Sequence, residues 1–180
     1  MRIQDMSEQA SIELLARSRL CRVACAHEGQ PYVTPMHCAY DDGHLYGFST
    51  LGRKITWMRA NPLVCVLVDE VVSPQNWASV IVFGKYEELT HATHLVAHRQ
   101  HAYNLLQTRP VWWEPGYAET LLHGKARLME FMYFRIHIEQ ISGHRGAPDP
   151  APLADFEASH GTSRWFHKIL GRSGQQSGNR

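Results

Sequence analysis

A mainly β chain, an antiparallel barrel with helices at its periphery, is the fold class that these 180 residues predict. Three observations carry it. Runs of strand length, alternating or continuously apolar and β-branched, recur over residues 20–88 and again over 131–141. Glu-Gly and Asp-Gly turn signals separate the first of them. Helical periodicity is confined to short stretches, with none of the strand–helix–strand alternation that a doubly wound sheet requires.

Residues 7–18 predict a helix. Ser7 suits the N-cap, Glu8 and Gln9 suit the first turn, and Ile12, Leu15 and Ala16 share a face. Leu20 to Ala26 reads as a strand with Cys21 and Cys25 on one face. His27-Glu28-Gly29-Gln30 is a turn, Tyr32 to Tyr40 a second strand, Asp41-Asp42-Gly43-His44 a hairpin turn, and Leu45 to Ser49 a third strand. The period then changes. Gly52 to Ala60 reads as a short helix with Ile55 and Met58 at helical spacing, ended by Asn61-Pro62 because a residue before proline avoids the α region. Leu63 to Val68 is a buried strand. Trp77 to Glu88 is another, its Gly84 marking a bulge or a close backbone approach. Residues 90–107 predict a polar helix, 109–119 an irregular aromatic segment, and Phe131 to Ile141 the last strand. The total is about six strands and three or four helices. Residues 1–145 read as one domain. Residues 146–180, rich in Gly, Pro, Ser and charge, read as a partly disordered tail with room for a short helix over 163–170.

Composition narrows the function. Hydrophobic residues make up 44% and charged residues 19%, as in soluble globular proteins. A formal net charge of +1 argues against a nucleic-acid binder with a strong positive field. No run approaches the ~18 apolar residues of a membrane span, and the first residues lack an apolar stretch of signal-peptide length. The expected location is the cytoplasm, with no membrane or nucleic-acid partner. The four cysteines form no Cys-x-x-Cys pair and read as reduced and buried. No nucleophile elbow, Walker A or Gly-x-Gly-x-x-Gly motif occurs.

The stretch that carries chemistry is Tyr46-Gly47-Phe48-Ser49-Thr50-Leu51-Gly52-Arg53-Lys54. It is a strand end, two hydroxyl residues, a glycine, and two cations opening a helix. Hydroxyls and leading backbone N–H groups can donate to a phosphate there. Arg53 can bind two oxygens as a fork and Lys54 adds a point charge. Local pattern alone leaves phosphate binding and simple helix capping both open.

The order of motifs along the chain weakens the capping reading. Gly29-Gln30-Pro31-Tyr32-Val33-Thr34-Pro35 is followed by Tyr46 to Lys54 and by Arg59-Ala60-Asn61-Pro62-Leu63-Val64-Cys65. Trp77 to Gly84 comes next, and Ile136 to Gly143 closes the set. In this order the chain resembles the pyridoxamine 5'-phosphate oxidase-like, FMN-binding split-barrel family over residues 5–145, near its nitroimidazole-resistance reductase branch. The resemblance implies an FMN-binding split β-barrel, with the FMN phosphate on Ser49, Thr50, Arg53 and Lys54. It implies an isoalloxazine ring beside Thr34, Pro35 and Met36, with Phe48 lining the pocket. It also implies a homodimer with flavin at the subunit interface, where Trp77 and Ser79 reach the flavin from the partner. The implied activity is an FMN-dependent oxidoreductase that passes electrons from a reduced nicotinamide to a small planar acceptor. The alternative is a flavin-binding, or haem-binding, carrier or sensor without turnover. Two departures stand out: Phe48 occupies the place of a histidine found in many members of that branch, and the basic C-terminal signature of true pyridoxamine-phosphate oxidases is not evident.

Other residues admit functional readings. His91, His94, His98 and His101 would share one face of the predicted helix, where such spacing can hold a metal or haem; without a carboxylate or cysteine in the row, a solvated face is the expectation, and no metal site is expected. His37 reads as a hydrogen-bonded structural histidine or a proton donor. Trp112-Trp113-Glu114-Pro115-Gly116-Tyr117 reads as a lid or a pocket wall. Asp69-Glu70 face opposite ways on a strand and read as solvated.

Overall fold

The computed structural model describes residues 2–108, 120–122, 125–127 and 131–147. All its strands and helices lie within the unit Met1–Pro148. The segments expected to form an aromatic lid at 112–117 and a short helix at 163–170 lie outside the described residues.

The chain opens with a short strand, β1 (Arg2–Asp5), and helix α1 (Glu8–Arg17). Ser7 caps α1 as its position predicts: its hydroxyl accepts the Ala10 N–H at 3.2 Å. A meander follows: β2 (Leu20–His27), β3 (Gln30–Asp41) and β4 (His44–Thr50). Glu28, Gly29, Asp42 and Gly43 all have positive φ, so both connections are the tight two-residue turns whose twist suits a hairpin.

Helix α2 (Arg53–Ala60) follows, with Ile55 and Met58 fully buried in the core. Two long strands, β5 (Leu63–Ser73) and β6 (Asn76–Glu88), form an arm-like hairpin. β5 outruns its apolar stretch because β6 pairs along it as far as Ser73 opposite Asn76. Helix α3 spans Val96–Gln107, the small hairpin β7 (Thr120–Leu122) and β8 (Lys125–Arg127) follows, and β9 (Phe131–Ala147) is the longest strand.

All pairings are antiparallel. The sheet order is β1-β9-β4-β3-β2-β5-β6, and β6 also pairs with β9, so the sheet closes into a barrel that leaves β1 as a flap on β9. Closure needs a kink. It occurs between Phe83 and Gly84, where the β6–β9 register shifts. A Cβ on Gly84 would stand 2.2 Å from the His137 carbonyl oxygen, so no side chain fits the approach that the sequence position signals.

The interior is filled by Val23, Met36, Cys38, Leu45, Val64, Val66, Val80, Val82, Phe134 and Ile136, plugged at one end by α2. A second core forms outside the barrel wall, where α3 covers Ala39, Tyr46, Phe48 and Tyr133. β4 is therefore buried on both faces.

Two expectations are corrected here. The polar helix predicted over 90–107 begins only at Val96. Thr90 Oγ1 accepts the Ala92 N–H at 3.3 Å, and this local turn outcompetes the helix. Asp69 and Glu70 are not simply solvated: Asp69 pairs with Arg22, and Glu70 with Arg17 at 2.8 Å.

Candidate functional site

The barrel parts between β3 and β4. The two strands pair only from Cys38 opposite Gly47 to Asp41 opposite His44. Beyond that point Gln30–His37 stays with β2, while Phe48, Ser49 and Thr50 stay with β9. Among the described residues, the Gln30–His37 stretch of β3 has no strand partner on its β4 side. Pro31 and Pro35 both lie on this stretch, where the missing N–H costs no ladder bond.

The turn from β4 into α2 closes this opening. Gly52, the N-cap, offers no side-chain cap, and the helix's first backbone bond runs from the Thr56 N–H to Gly52 O at 3.0 Å. The leading N–H groups of α2 therefore point out of the helix, where anions bind. Arg53 stands at that end. Its guanidinium lies 5.9 Å from the ring centroids of both Tyr32 and Trp57. Among the described residues no carboxylate pairs with it. Its charge is held in place by two aromatic faces and left unneutralised.

The predicted residues divide into groups. Thr50, Arg53 and Lys54 cluster at the β4–α2 turn; Thr50 and Lys54 are half-buried and Arg53 is exposed. Ser49 is buried, and its Oγ donates to Thr50 O at 3.0 Å. Thr34 shares a face of β3 with Tyr32, the ring under Arg53. Met36 follows on that face, but its side chain is committed to the barrel core. Pro35 is exposed on the opposite face. A planar group lying along β3 would thus meet backbone edge and Pro35 rather than the Met36 side chain. Phe48 is buried against Phe131, Tyr133 and His37, with ring centroids 5.8, 5.9 and 6.4 Å away.

Trp77 and Ser79 are not brought to this cluster within one chain. Tyr32 aligns through Cys25 with Val64, whereas Trp77 pairs with Val71. Seven residues of β5 separate the two rows, about 23 Å along the strand. Trp77 instead packs its indole over Gly146, where an added Cβ would stand 2.5 Å from Nε1.

The histidine row dissolves. His91 and His94 precede α3. His101 pairs with Asp41 at 2.8 Å, and His98 Nδ1 faces Arg135 at 3.3 Å. Among the described residues no cluster of His, Cys, Asp and Glu has metal-binding geometry. His37 is buried between two carbonyl oxygens, Arg19 O at 3.2 Å and Leu106 O at 3.3 Å, and ties β3 to α3.

Sequence reasoning missed Tyr32 and Trp57 as the seat of Arg53. Trp57 is four residues on and so shares a helix face with it, a signal that was readable. Tyr32 comes from a strand two elements earlier, and only the tertiary fold supplies it. The position of α2 rests on another clamp: Arg59 binds both oxygens of Glu88, at 2.6 and 2.8 Å, and the Tyr86 hydroxyl donates to the same carboxylate at 3.1 Å. Arg59 holds the Glu88 carboxyl below its ordinary range, while burial and then the Glu88 charge push the Tyr86 phenol well up.

Comparison with known proteins matches this architecture. The pyridoxamine 5'-phosphate oxidase family model matches residues 7–145. An uncharacterised protein of Rhizobium meliloti (strain 1021) is 34% identical over 143 residues, covering 79% of this chain and 95% of the relative. An FAD-binding protein from Mesorhizobium loti is 43% identical, with a TM-score of 0.69, 82% of this chain and all of that one covered. A candidate 5-nitroimidazole antibiotic resistance protein from Bacteroides thetaiotaomicron shares the fold at 18% identity, with a TM-score of 0.58 over 80% of this chain and 87% of that one. The match runs from the cap of α1 to the far part of β9, across the strands whose parting opens the site, and on that extent the chain belongs to the pyridoxamine 5'-phosphate oxidase family.

Proposed function

We propose that this protein is a cytoplasmic, homodimeric flavoprotein oxidoreductase. It binds FMN through its phosphate at the β4–α2 turn and reduces a small planar acceptor at the expense of a reduced nicotinamide. The observation that carries the reading is Arg53: a guanidinium without a carboxylate partner among the described residues, seated over the adjoining rings of Tyr32 and Trp57 beside an uncapped helix start. The FAD-binding Mesorhizobium loti neighbour supports a flavin. FMN and FAD share the phosphate that Arg53 would meet, so the clamp serves either.

Bound flavin supplies hydride acceptance and onward electron transfer. The chain's own residues bind and orient. Arg53 and Lys54 hold the phosphate with Thr50 and the leading α2 amides. The unpaired edge of β3 gives carbonyl and N–H groups to the edge of a planar ring. Phe48, buried among other rings, keeps water from the wall that a histidine would otherwise wet.

The outer face of the barrel supports the dimer. Val33, Ala24, Cys65 and Phe83 stand in one cross-strand row, and Leu67 and Ile81 flank it. Val33 is 63% and Phe83 51% exposed, on strands whose other face is core. Such an apolar band fits a second copy, and a second copy is also the route by which Trp77 and Ser79, rows away from Tyr32 along β5 within one chain, would reach a flavin.

The test is the absorption spectrum of the purified protein, with mass analysis of the chromophore released on denaturation. Flavin bands and a mass for FMN are expected. Absence of bands, with no quenching of added FMN fluorescence, would overturn the reading; an FAD mass would overturn FMN alone. Steady-state oxidation of NADH or NADPH with a panel of planar acceptors separates an oxidoreductase from a binding module without turnover.

A further inference from the structure

Beyond Phe48 lies a cleft of about 580 Å³ that the nucleotide site does not use. Two periodicities build it. Val96, Arg99, Gln100 and Tyr103, at spacings of three, one and three, form one stripe of α3. Phe131 and Tyr133, two apart, project from one face of β9, and His91 stands at the rim.

Arg99 is fixed inside this cleft. Its guanidinium donates to Leu89 O at 3.1 Å and Phe131 O at 3.5 Å, and lies 4.8 Å over the Tyr133 ring. No carboxylate pairs with it among the described residues. Glu88, the acid that feels its charge, is already gripped at both oxygens by Arg59. Around this cation stand aromatic rings at steep angles: Tyr103 meets Tyr133 at 73°, with centroids 6.3 Å apart. A fixed, unneutralised guanidinium among aromatic walls recognises a flat, conjugated anion. The volume suits a small organic molecule.

The cleft adjoins the nucleotide site. Phe131 is directly opposite Thr50 and Tyr133 directly opposite Phe48 in the β4–β9 ladder. The Phe48 ring packs on both.

We propose that this cleft binds an aromatic carboxylate, with Arg99 on the carboxylate and Tyr103, Phe131 and Tyr133 around the ring. The further assignment, that this carboxylate is the electron acceptor, rests on the flavoprotein reading above. The binding itself does not.

The test is calorimetric titration of the purified protein with 4-nitrobenzoate and with the uncharged 4-nitrobenzamide. The acid is expected to bind at least about tenfold more tightly, the scale of one charge-assisted hydrogen bond. Arg99 also braces two carbonyls, so its replacement risks the fold. Gln100→Glu avoids that: Gln100 is exposed on the same stripe and glutamate suits a helix. It gives up the exposed donation from Gln100 to Asn104 and adds a negative charge to the lining that Arg99 shares, and is expected to abolish the preference for the acid, with flavin content unchanged. Tyr103→Ala is expected to weaken both ligands. No saturable binding of the acid, equal affinity for acid and amide, or a preference that survives Gln100→Glu would each overturn the proposal. A protein that carries no flavin and does not quench added FMN, yet still binds the acid in this way, would sink the flavoprotein reading while leaving the cleft intact.

Discussion

Arg53, beside Lys54, illustrates how a side chain acquires a role from its setting rather than from its type. A cation at a helix start ordinarily opposes the helix dipole. Here Arg53 is held there by two rings, and the unfavourable placement makes sense once an anion joins it. Replacing both cations by alanine is expected to weaken FMN binding by about 2–4 kcal/mol, since each charge-assisted bond is worth roughly 1.5–3 kcal/mol and the two overlap. Fluorescence quenching titration checks this, and an unchanged affinity would place the phosphate elsewhere. Gly84 belongs to the same scale. Gly84→Ala is expected to destabilise the fold by at least about 1–3 kcal/mol in denaturant titration, because the added methyl meets the His137 backbone oxygen, which cannot yield without moving β9.

Among the elements, α2 matters most, being at once barrel plug and the proposed anion site. Ile55 and Met58 bury its inner face, Arg53 and Lys54 stand at its start, and Arg59 locks its last turn to Glu88 at the end of β6. Because Arg59 lowers the Glu88 pKa in the folded state, the lock contributes fully above the ordinary carboxyl range. It is lost as pH falls through the depressed folded value. The stability gap between the wild type and Glu88→Gln is therefore expected to be largest near neutrality and to close below pH ~4. Denaturant midpoints across that range measure it; a gap that stays constant into acid would show that the ion pair is not its source. Met58→Ala should cost about 2–5 kcal/mol and loosen flavin retention with it, as a plug that no longer fills the barrel end would.

For the whole molecule, the question is what covers the outer face of β2, β5 and β6. Phe83→Lys is expected to convert a dimer into a monomer in sedimentation velocity. If Trp77 and Ser79 complete the site from the partner, the monomer should also lose flavin. Loss of the dimer with full flavin retention would confine the cofactor site to one chain.

The meander, both tight turns, α1 with its cap, α2 and Gly84 were legible in the sequence, because each depends on neighbours within a few residues: a capping hydroxyl, a positive-φ turn, a helical spacing. The basic turn after the third strand was legible for the same reason. What the local pattern could not supply is what distant strands decide. The parting of β3 from β4 after Cys38 and Gly47, the seating of Arg53 on Tyr32, and the buried orientation of Ser49 and Met36 all depend on which face of a strand the closed barrel turns inward. Register alone sets that choice, since a slip of one residue would exchange the faces. Residue types and spacing thus determined that two hydroxyls, a glycine and two cations follow the third strand, a pattern that suits a phosphate or a plain helix start. Barrel closure decided which of those side chains are turned inward, as Ser49 is, and which are left outside, as Arg53 is.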